Sequence, residues 1–339
     1  DKRGRREAAV VEVLERKVKS IVGHYYEEGE YAFVTPESKH LHEDIFIPKD
    51  ERGGAVSGKI VNVEIIKNPT TRRQALGRVI EVLGEAMSAG MEIEVAMRAY
   101  GLPHEWPEQL QHELKQIPHE VDADAIEGRK DLRDLFFVTI DGQDAKDFDD
   151  AVYCQPREKG GWVLYVAIAD VAHYVKPETL LDHVAKERGN SVYFPGRVLP
   201  MLPERLSNGL CSLNPHVDRL TMVCQMSISA TGELERYRFY NAVIHSHARL
   251  TYSEVYGMLQ GTTKQRKAVM PHLNALYDLF KVLNTARQKR GALEFDTTET
   301  RIVFGKDRKI KNIVPVVRND AHRIIEECML MANVCAAKF

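Results

Sequence analysis

Five aspartates, Asp141, Asp144, Asp147, Asp149 and Asp150, fall within ten positions directly after the apolar run Leu135–Ile140. Carboxylates crowded this closely repel one another unless a cation neutralises them. The segment therefore needs a rigid strand to carry it and a positive charge to answer it. Gly142 and the Asp147-Phe-Asp-Asp turn interrupt any 3.6-residue period, which excludes a simple acidic helix. Hard oxygen donors without neighbouring Cys or His point to magnesium, or manganese, rather than zinc. Such a cluster suits metal-assisted chemistry on phosphate. A solvated acidic turn and a structural cation site remain open on spacing alone. The calcium-loop pattern is excluded, because counting from Asp141 its glycine position holds Lys146 and its glutamate position Val152.

A chain of 339 residues can build more than one core, so two or three domains are expected. With 44% hydrophobic and 28% charged residues it reads as an ordinary soluble globular protein. No apolar run approaches a membrane span and no basic–apolar signal segment opens the sequence, so a cytoplasmic protein without a membrane partner is expected. The formal net charge of -2 hides an asymmetry: residues 1–244 carry 31 Lys and Arg against 40 Asp and Glu, residues 245–339 carry 16 against 9. An acidic site beside a basic surface suits a polyanion held near cations, although solvated helix faces collect the same residues. Cys154, Cys211, Cys224, Cys328 and Cys335 are odd in number and widely spaced, giving neither a zinc pair nor a disulfide framework. They read as buried thiols.

Along the chain, the strand-like runs Ser20–Tyr26, Tyr31–Thr35, Asp44–Pro48, Lys59–Ile66 and Gly77–Gly84 predict a small closed barrel of the oligonucleotide-binding class. Tyr25, Tyr26, Tyr31, Phe33 and Phe46 are either stacking platforms for bases or its core. Val10–Leu14 reads as a short strand before it. Ala86–Ala99 reads as helix then strand, and Trp106–Lys115 as a helix with Pro107 in its first turn. Trp162–Val171 is a buried strand expected beside the one delivering the aspartates. Thr179–Arg188 is a short helix, and residues 189–203 form an irregular loop carrying Tyr193, Phe194 and Arg197. Leu220–Ser229 and Glu235–Ile244 make a hairpin, and Pro271–Arg290 and Ala321–Lys338 are helices. Asp170 with His173, and His245 with His247, have metal-pair spacing. A local hydrogen bond is the reading preferred for His173, and no third ligand stands near the second pair.

Five runs in fixed order go beyond composition: Val138-Thr-Ile-Asp-Gly-Gln-Asp-Ala-Lys-Asp-Phe-Asp-Asp-Ala-Val152, Val166-Ala-Ile-Ala-Asp-Val171, Tyr193-Phe-Pro-Gly-Arg-Val-Leu-Pro-Met-Leu-Pro203, Leu206-Ser-Asn-Gly-Leu-Cys-Ser-Leu213 and Arg323-Ile-Ile-Glu-Glu-Cys-Met-Leu-Met-Ala-Asn333. Together they resemble the RNB family of hydrolytic 3′-to-5′ exoribonucleases. The resemblance covers nearly the whole chain. It implies a multidomain protein in which a small all-β cold-shock (OB) barrel precedes the mixed α/β RNB catalytic domain. Residues 1–16 would be the tail of a preceding cold-shock barrel, 17–85 the RNA-binding barrel, 86–134 a connecting segment, and 135–339 the N-terminal part of a catalytic domain incomplete at its C-terminus.

The same resemblance implies that Asp141, Asp147, Asp149 and Asp150 are the catalytic, metal-binding carboxylates, Asp149 the one most closely tied to cleavage, with Asp144 extra to the four. It makes Tyr193 an RNA clamp, Phe295 the residue stacking on the terminal base, and Glu326 a ribose contact. Arg197, on the loop with Tyr193, joins them as an RNA-binding residue. The expected cofactor is Mg2+, with Mn2+ as a substitute. The expected substrate is single-stranded RNA with a free 3′ end, degraded processively to nucleoside 5′-monophosphates by a monomer, with structured RNA added in a full-length protein. The rival expectations are an inactive RNA-binding scaffold on the same fold and a small-substrate metal phosphatase.

Overall fold

The structure is a computed structural model, and it describes residues 11, 20–38, 43–70, 73–86, 88, 90–264, 266–293, 299–305 and 310–339. Val11 alone represents the expected first strand, and the segment 1–16 otherwise lies outside the described residues. The chain divides into two compact units, Asp1–Glu105 with Ile302–Asn312, and Trp106–Arg301 with Ile313–Phe339.

In the first unit, β1 (Ser20–Glu28), β2 (Tyr31–Pro36), β3 (Ile45–Ile47), β4 (Lys59–Lys67) and β5 (Leu76–Glu85) close a barrel in the order β1-β2-β3-β5-β4. Period-two alternation sends Ala32 and Val34, Ile45 and Ile47, and Val61 and Val63 inward. Gly77 is required where the barrel tightens, since a Cβ there would lie 2.3 Å from Val63 Cγ1. The expected helix-then-strand after the barrel is instead one helix, α1 (Met91–Ala99). Met91 and Val95 lie one turn apart and pack against Val22, Ile60 and Leu83, so burial favours the helical period to its end.

The second unit opens with α2 (Leu110–Gln116), α3 (Ala123–Ile126) and the two-residue strand β6 (Lys130–Asp131). Helix α2 begins at Leu110 rather than at Pro107, whose carbonyl instead accepts from Leu110 N in a preceding turn, at 3.0 Å. Then come β7 (Phe137–Asp141), β8 (Asp150–Pro156), β9 (Trp162–Ala169), α4 (Val171–Tyr174) and α5 (Leu180–Arg188), the last capped by Thr179. The segment expected to be an irregular loop contains a hairpin, β10 (Val192–Phe194) and β11 (Arg197–Leu199). Pro195 and Gly196 make its turn, with Gly196 at φ +76°, as a Pro-Gly turn demands.

Strand β12 (Asp218–Ile228) is followed by β13 (Leu234–Thr251), eighteen residues long. Helices α6 (Tyr252–Leu259) and α7 (Met270–Lys289), the two-stranded pair β14 (Thr300–Phe304) and β15 (Ile310–Pro315), and α8 (Asp320–Lys338) complete the chain. The sheet runs β12-β9-β8-β7-β13-β6, and β13 also pairs β12, so it curls back on itself. The first part of β13 pairs antiparallel with β12 and the last part parallel with β7. One face, with Val138, Ile140, Val152 and Cys154, packs on α6, α7 and α8. The other, with Phe137, Ala151 and Ala167, covers Leu181, Leu206 and Leu210. All five cysteines are buried and free.

Candidate active site

The acidic loop links two adjacent strands: β7 ends on Asp141 and β8 begins on Asp150. Its middle is nailed down from a distance. Phe148 is buried, its N–H donates to Ser212 Oγ at 3.1 Å, and its carbonyl accepts from Leu213 N at 2.7 Å. The Ser212 hydroxyl donates in turn to the Lys146 carbonyl at 2.9 Å. The turn Asp147–Asp150 is thus fixed by the run Leu206–Leu213 and held at one end of the sheet. Thr251 pairs with Asp141 and also caps α6, so the next residue, Tyr252, is carried to the same place.

Strand parity separates the carboxylates. Asp150 shares the face of Val152 and Cys154 and is turned toward the helices, where its charge acts on Tyr252 and Cys328. Burial, then the charges of Asp149 and Asp141, push its carboxyl up to about 7. Asp149 is exposed, yet the surrounding protein still desolvates it. Its pKa is raised by burial first and then by Asp147 and Asp141. Asp141 is raised by burial and by Asp147, partly offset by a hydrogen bond from Gly142 N at 2.6 Å and by Arg249. Arg249 lies 4.4 Å from the Phe148 ring centre and donates to the Ala145 carbonyl at 2.8 Å. The Tyr252 hydroxyl is pushed up to about 12 by burial and by Asp141, Asp150 and Asp149. The cluster therefore carries more negative charge than its protein neighbours offset.

A divalent cation fits this donor chemistry. Asp150 Oδ2 is buried without a hydrogen-bond partner, an orphan acceptor that asks for a positive group. As they stand, the oxygens are shared with protons: Asp141 Oδ1 accepts from Gly142 N, and Asp147 Oδ2 accepts from the Tyr193 hydroxyl at 2.6 Å. Among the described residues no three His, Cys, Asp or Glu side chains are grouped closely enough to hold an ion in this arrangement.

Of the other sequence candidates, Tyr193 meets the cluster through its hydroxyl, while its side chain is 64% exposed. That hydroxyl is pushed up to about 12 by burial and by Asp147. Arg197 is exposed and pairs with Phe194 on the same hairpin. Glu326, on α8, is held by Arg287 at 3.2 Å and by Arg318, and is not bonded to the aspartates. One turn before it, His322 stacks on Tyr252 at 4.0 Å. Phe295 lies outside the described residues. Asp170 pairs with Arg129 at 2.7 Å, and His173 Nδ1 stands 3.4 Å from that guanidinium. His245 pairs with Asp218 while His247 stacks on Phe136 at 4.6 Å, so neither histidine couple is a metal pair. Sequence reasoning passes over Ser212, Arg249 and Tyr252, whose partners lie up to 111 positions away; only the family run around Ser212 hints at them.

The model of the RNB domain matches residues 129–339, and that of the cold shock domain residues 33–107. The chain belongs to the RNB family. Within the family its runs read most like bacterial ribonuclease R, ahead of ribonuclease II. The curated relatives agree: it is 53% identical to ribonuclease R of Vibrio cholerae over 340 residues, covering 99% of this chain and 41% of the relative. Identity to ribonuclease R of Escherichia coli is 51% over 342 residues, covering 100% and 42%. The chain thus spans about two fifths of the length of these relatives. Among solved structures, RNase R of Mycoplasma genitalium in complex with double-stranded RNA superposes with a TM-score of 0.90 at 30% identity, over 96% of this chain and 58% of that one. A barrel ahead of an RNB α/β domain is the architecture of this family, and the acidic loop falls inside the RNB match.

Proposed function

We propose that the chain forms the barrel and catalytic core of a hydrolytic 3′-to-5′ exoribonuclease, acting processively on single-stranded RNA with a free 3′ end and releasing nucleoside 5′-monophosphates. The observation that carries this reading is an unbonded buried oxygen of Asp150 among Asp141, Asp149 and Asp150, all three raised by burial first and by neighbouring aspartates second, beside an exposed aromatic ring. Carboxyl groups raised by burial and like charge, with an acceptor left unpaired, point to a functional site. Asp141, Asp147, Asp149 and Asp150 would hold Mg2+, or Mn2+ with the same preference for hard oxygen. Bound there, a divalent ion supplies activation of water and neutralisation of charge at the scissile phosphate.

The chain's own residues bind and orient. The exposed Tyr193 ring offers a stacking face, and Arg197, opposite Phe194 on the same hairpin, serves for phosphate. Glu326, fixed by Arg287 and Arg318, serves as the ribose contact, and Phe295 as the stack on the terminal base; both roles rest on the family pattern. Reading of the 2′-hydroxyl would favour RNA over DNA. On the barrel, Tyr26, Phe33, Phe46 and Tyr31 form a chain of rings with centres 5.6, 5.7 and 6.2 Å apart, Tyr31 being 62% exposed. Tyr25 is core. Such a strip supports sequence-tolerant stacking of single strands. The double-stranded RNA in the Mycoplasma genitalium complex supports RNA as the ligand and structured RNA as a substrate of the whole protein. Among the described residues no helix is long and apolar enough to cross a membrane. A cytoplasmic monomer completes the proposal.

The test is the intact protein with 5′-labelled single-stranded RNA and Mg2+. Stepwise shortening from the 3′ end is expected. Tight binding without shortening would make the protein a scaffold. Hydrolysis of small phosphate esters with no length-dependent RNA binding would make it a phosphatase.

A further inference from the structure

Both backbone neighbours of Asp147 are fixed by one side chain: the Ser212 hydroxyl donates to the Lys146 carbonyl and accepts from Phe148 N. The backbone of Asp147 is therefore set, and what remains is the direction of its carboxylate. That direction is set by Tyr193, whose hydroxyl donates to Oδ2 at 2.6 Å, the short contact of a hydrogen bond to a charged acceptor. The tyrosine hydroxyl is supported from behind. Ser191 is a hydrogen-bond partner of the same hydroxyl, and Ser191 Oγ is itself held by Met201 N at 3.0 Å. The hairpin that carries Tyr193 is stiffened by its Pro195-Gly196 turn. One side chain thus shows an open ring to the surroundings and a fixed hydroxyl to the acidic cluster.

We propose that Tyr193 is a positioning residue for the acidic site: its hydroxyl holds one oxygen of Asp147 and leaves the other for a divalent ion, so the stacking residue and the metal-binding carboxylates act as one unit. This rests on the metal-site reading given above. It goes beyond a stacking role, for which any ring of the same shape would serve. A partner that orients a metal ligand changes affinity for the metal even when no substrate is present.

The experiment is a Mn2+ titration of the intact protein without RNA, followed by the electron paramagnetic resonance signal of the free ion. It compares wild type, Tyr193→Phe and Tyr193→Ala, with the RNA product ladder measured alongside. Tyr193→Phe is expected to weaken Mn2+ binding about tenfold, the lower end of the usual effect of removing such a partner, while the ladder keeps its end point. Tyr193→Ala is expected to show the same loss of Mn2+ affinity together with a changed end product. A Tyr193→Phe titration that overlays wild type, or is tighter, overturns the positioning role and leaves the metal site standing. Wild-type protein that takes up no Mn2+ overturns the metal site, and this inference with it. The phenylalanine variant keeps the shape of a largely exposed side chain, so misfolding does not confound the comparison.

Discussion

Glu51 and Glu81 of the barrel each accept two hydrogen bonds from a single guanidinium, Arg78 at 2.5 and 3.1 Å and Arg98 at 2.7 and 2.5 Å. Both carboxyls are held below the usual range by those arginines. In the RNB unit, Asp141, Asp149 and Asp150 face burial and neighbouring aspartates, with Arg249 offsetting Asp141 only in part, and all three are raised. The residue chemistry is nearly the same, and the sign of the shift is opposite. Where acids serve the fold, this chain supplies a cation from its own sequence. Where it leaves them under-compensated, the proposed metal site assigns the missing positive charge to a bound cation.

The sharpest way to break the comparison is at Asp149. It is exposed, so Asp149→Asn leaves packing almost untouched, yet it removes a charge from the cluster. Hydrolysis of RNA is expected to fall by about three orders of magnitude or more, as for other groups acting as a unit in a site, with most RNA affinity retained. Asp144→Asn, outside the matched four, should change turnover by no more than a few-fold. Near-normal turnover of Asp149→Asn at low Mg2+ would show that the uncompensated charge is not where the chemistry occurs.

Next in size is the pH dependence of the two units without metal. Asp150 is raised from an ordinary 3.8 to about 7, so the folded state binds its proton more tightly than the unfolded state does. Its contribution is present below about pH 4 and is lost as pH rises toward 7, on the order of 4 kcal/mol when the shift is fully expressed. Glu81 is shifted the other way, so its contribution is present above its ordinary value and is lost as pH falls through its lowered value. In chelator, hydrogen exchange should therefore show the RNB unit loosening toward neutral pH and the barrel loosening toward acid. Asp150→Asn should flatten the first trend, and Mg2+ at pH 7 should reverse it. Loosening of both units in the same direction would contradict the assignment of opposite signs.

The sequence makes the barrel more legible than the site. Alternation in Lys59–Ile66 and Gly77–Gly84 reports directly on which side chains face inward, and those strands stand nearly where spacing puts them. The strand before the aspartates is legible for the same reason, and the charge crowding identifies the loop. The supports of that loop are not legible. Ser212 acts across 64 positions and Arg249 across 104, and neither leaves a periodic trace. The long β13 hides because a single strand changes partners midway, and α6 because a strand runs into it at Thr251 without a turn. The hairpin around Tyr193 hides in a segment rich in proline and glycine, where two three-residue strands are too short to alternate visibly.

A smaller effect is expected from removing the exposed ring. Tyr193→Ala removes a base-stacking surface worth roughly 1–3 kcal/mol, so short RNA should dissociate sooner and the final products should lengthen. A ladder identical to wild type would transfer the stacking role to Phe194.

The smallest effect belongs to the barrel. Phe33 sits between inward-facing Ala32 and Val34, and its ring stacks on Tyr26 at 5.6 Å and meets Phe46 edge-on at 5.7 Å. Phe33→Ala thus removes one platform from the middle of a strip, and neighbouring rings still offer π-faces. A loss of about 1 kcal/mol in affinity for single-stranded RNA is expected, the low end for one stacked base. The same change removes two ring–ring contacts worth about 0.5–1.5 kcal/mol each, so binding and thermal melting must be measured together. Weaker RNA binding at little cost in melting temperature supports a binding surface. A lower melting temperature with unchanged binding would mean that this strip is packing only, and that the aromatic residues of the two regions differ as fundamentally as their acids do.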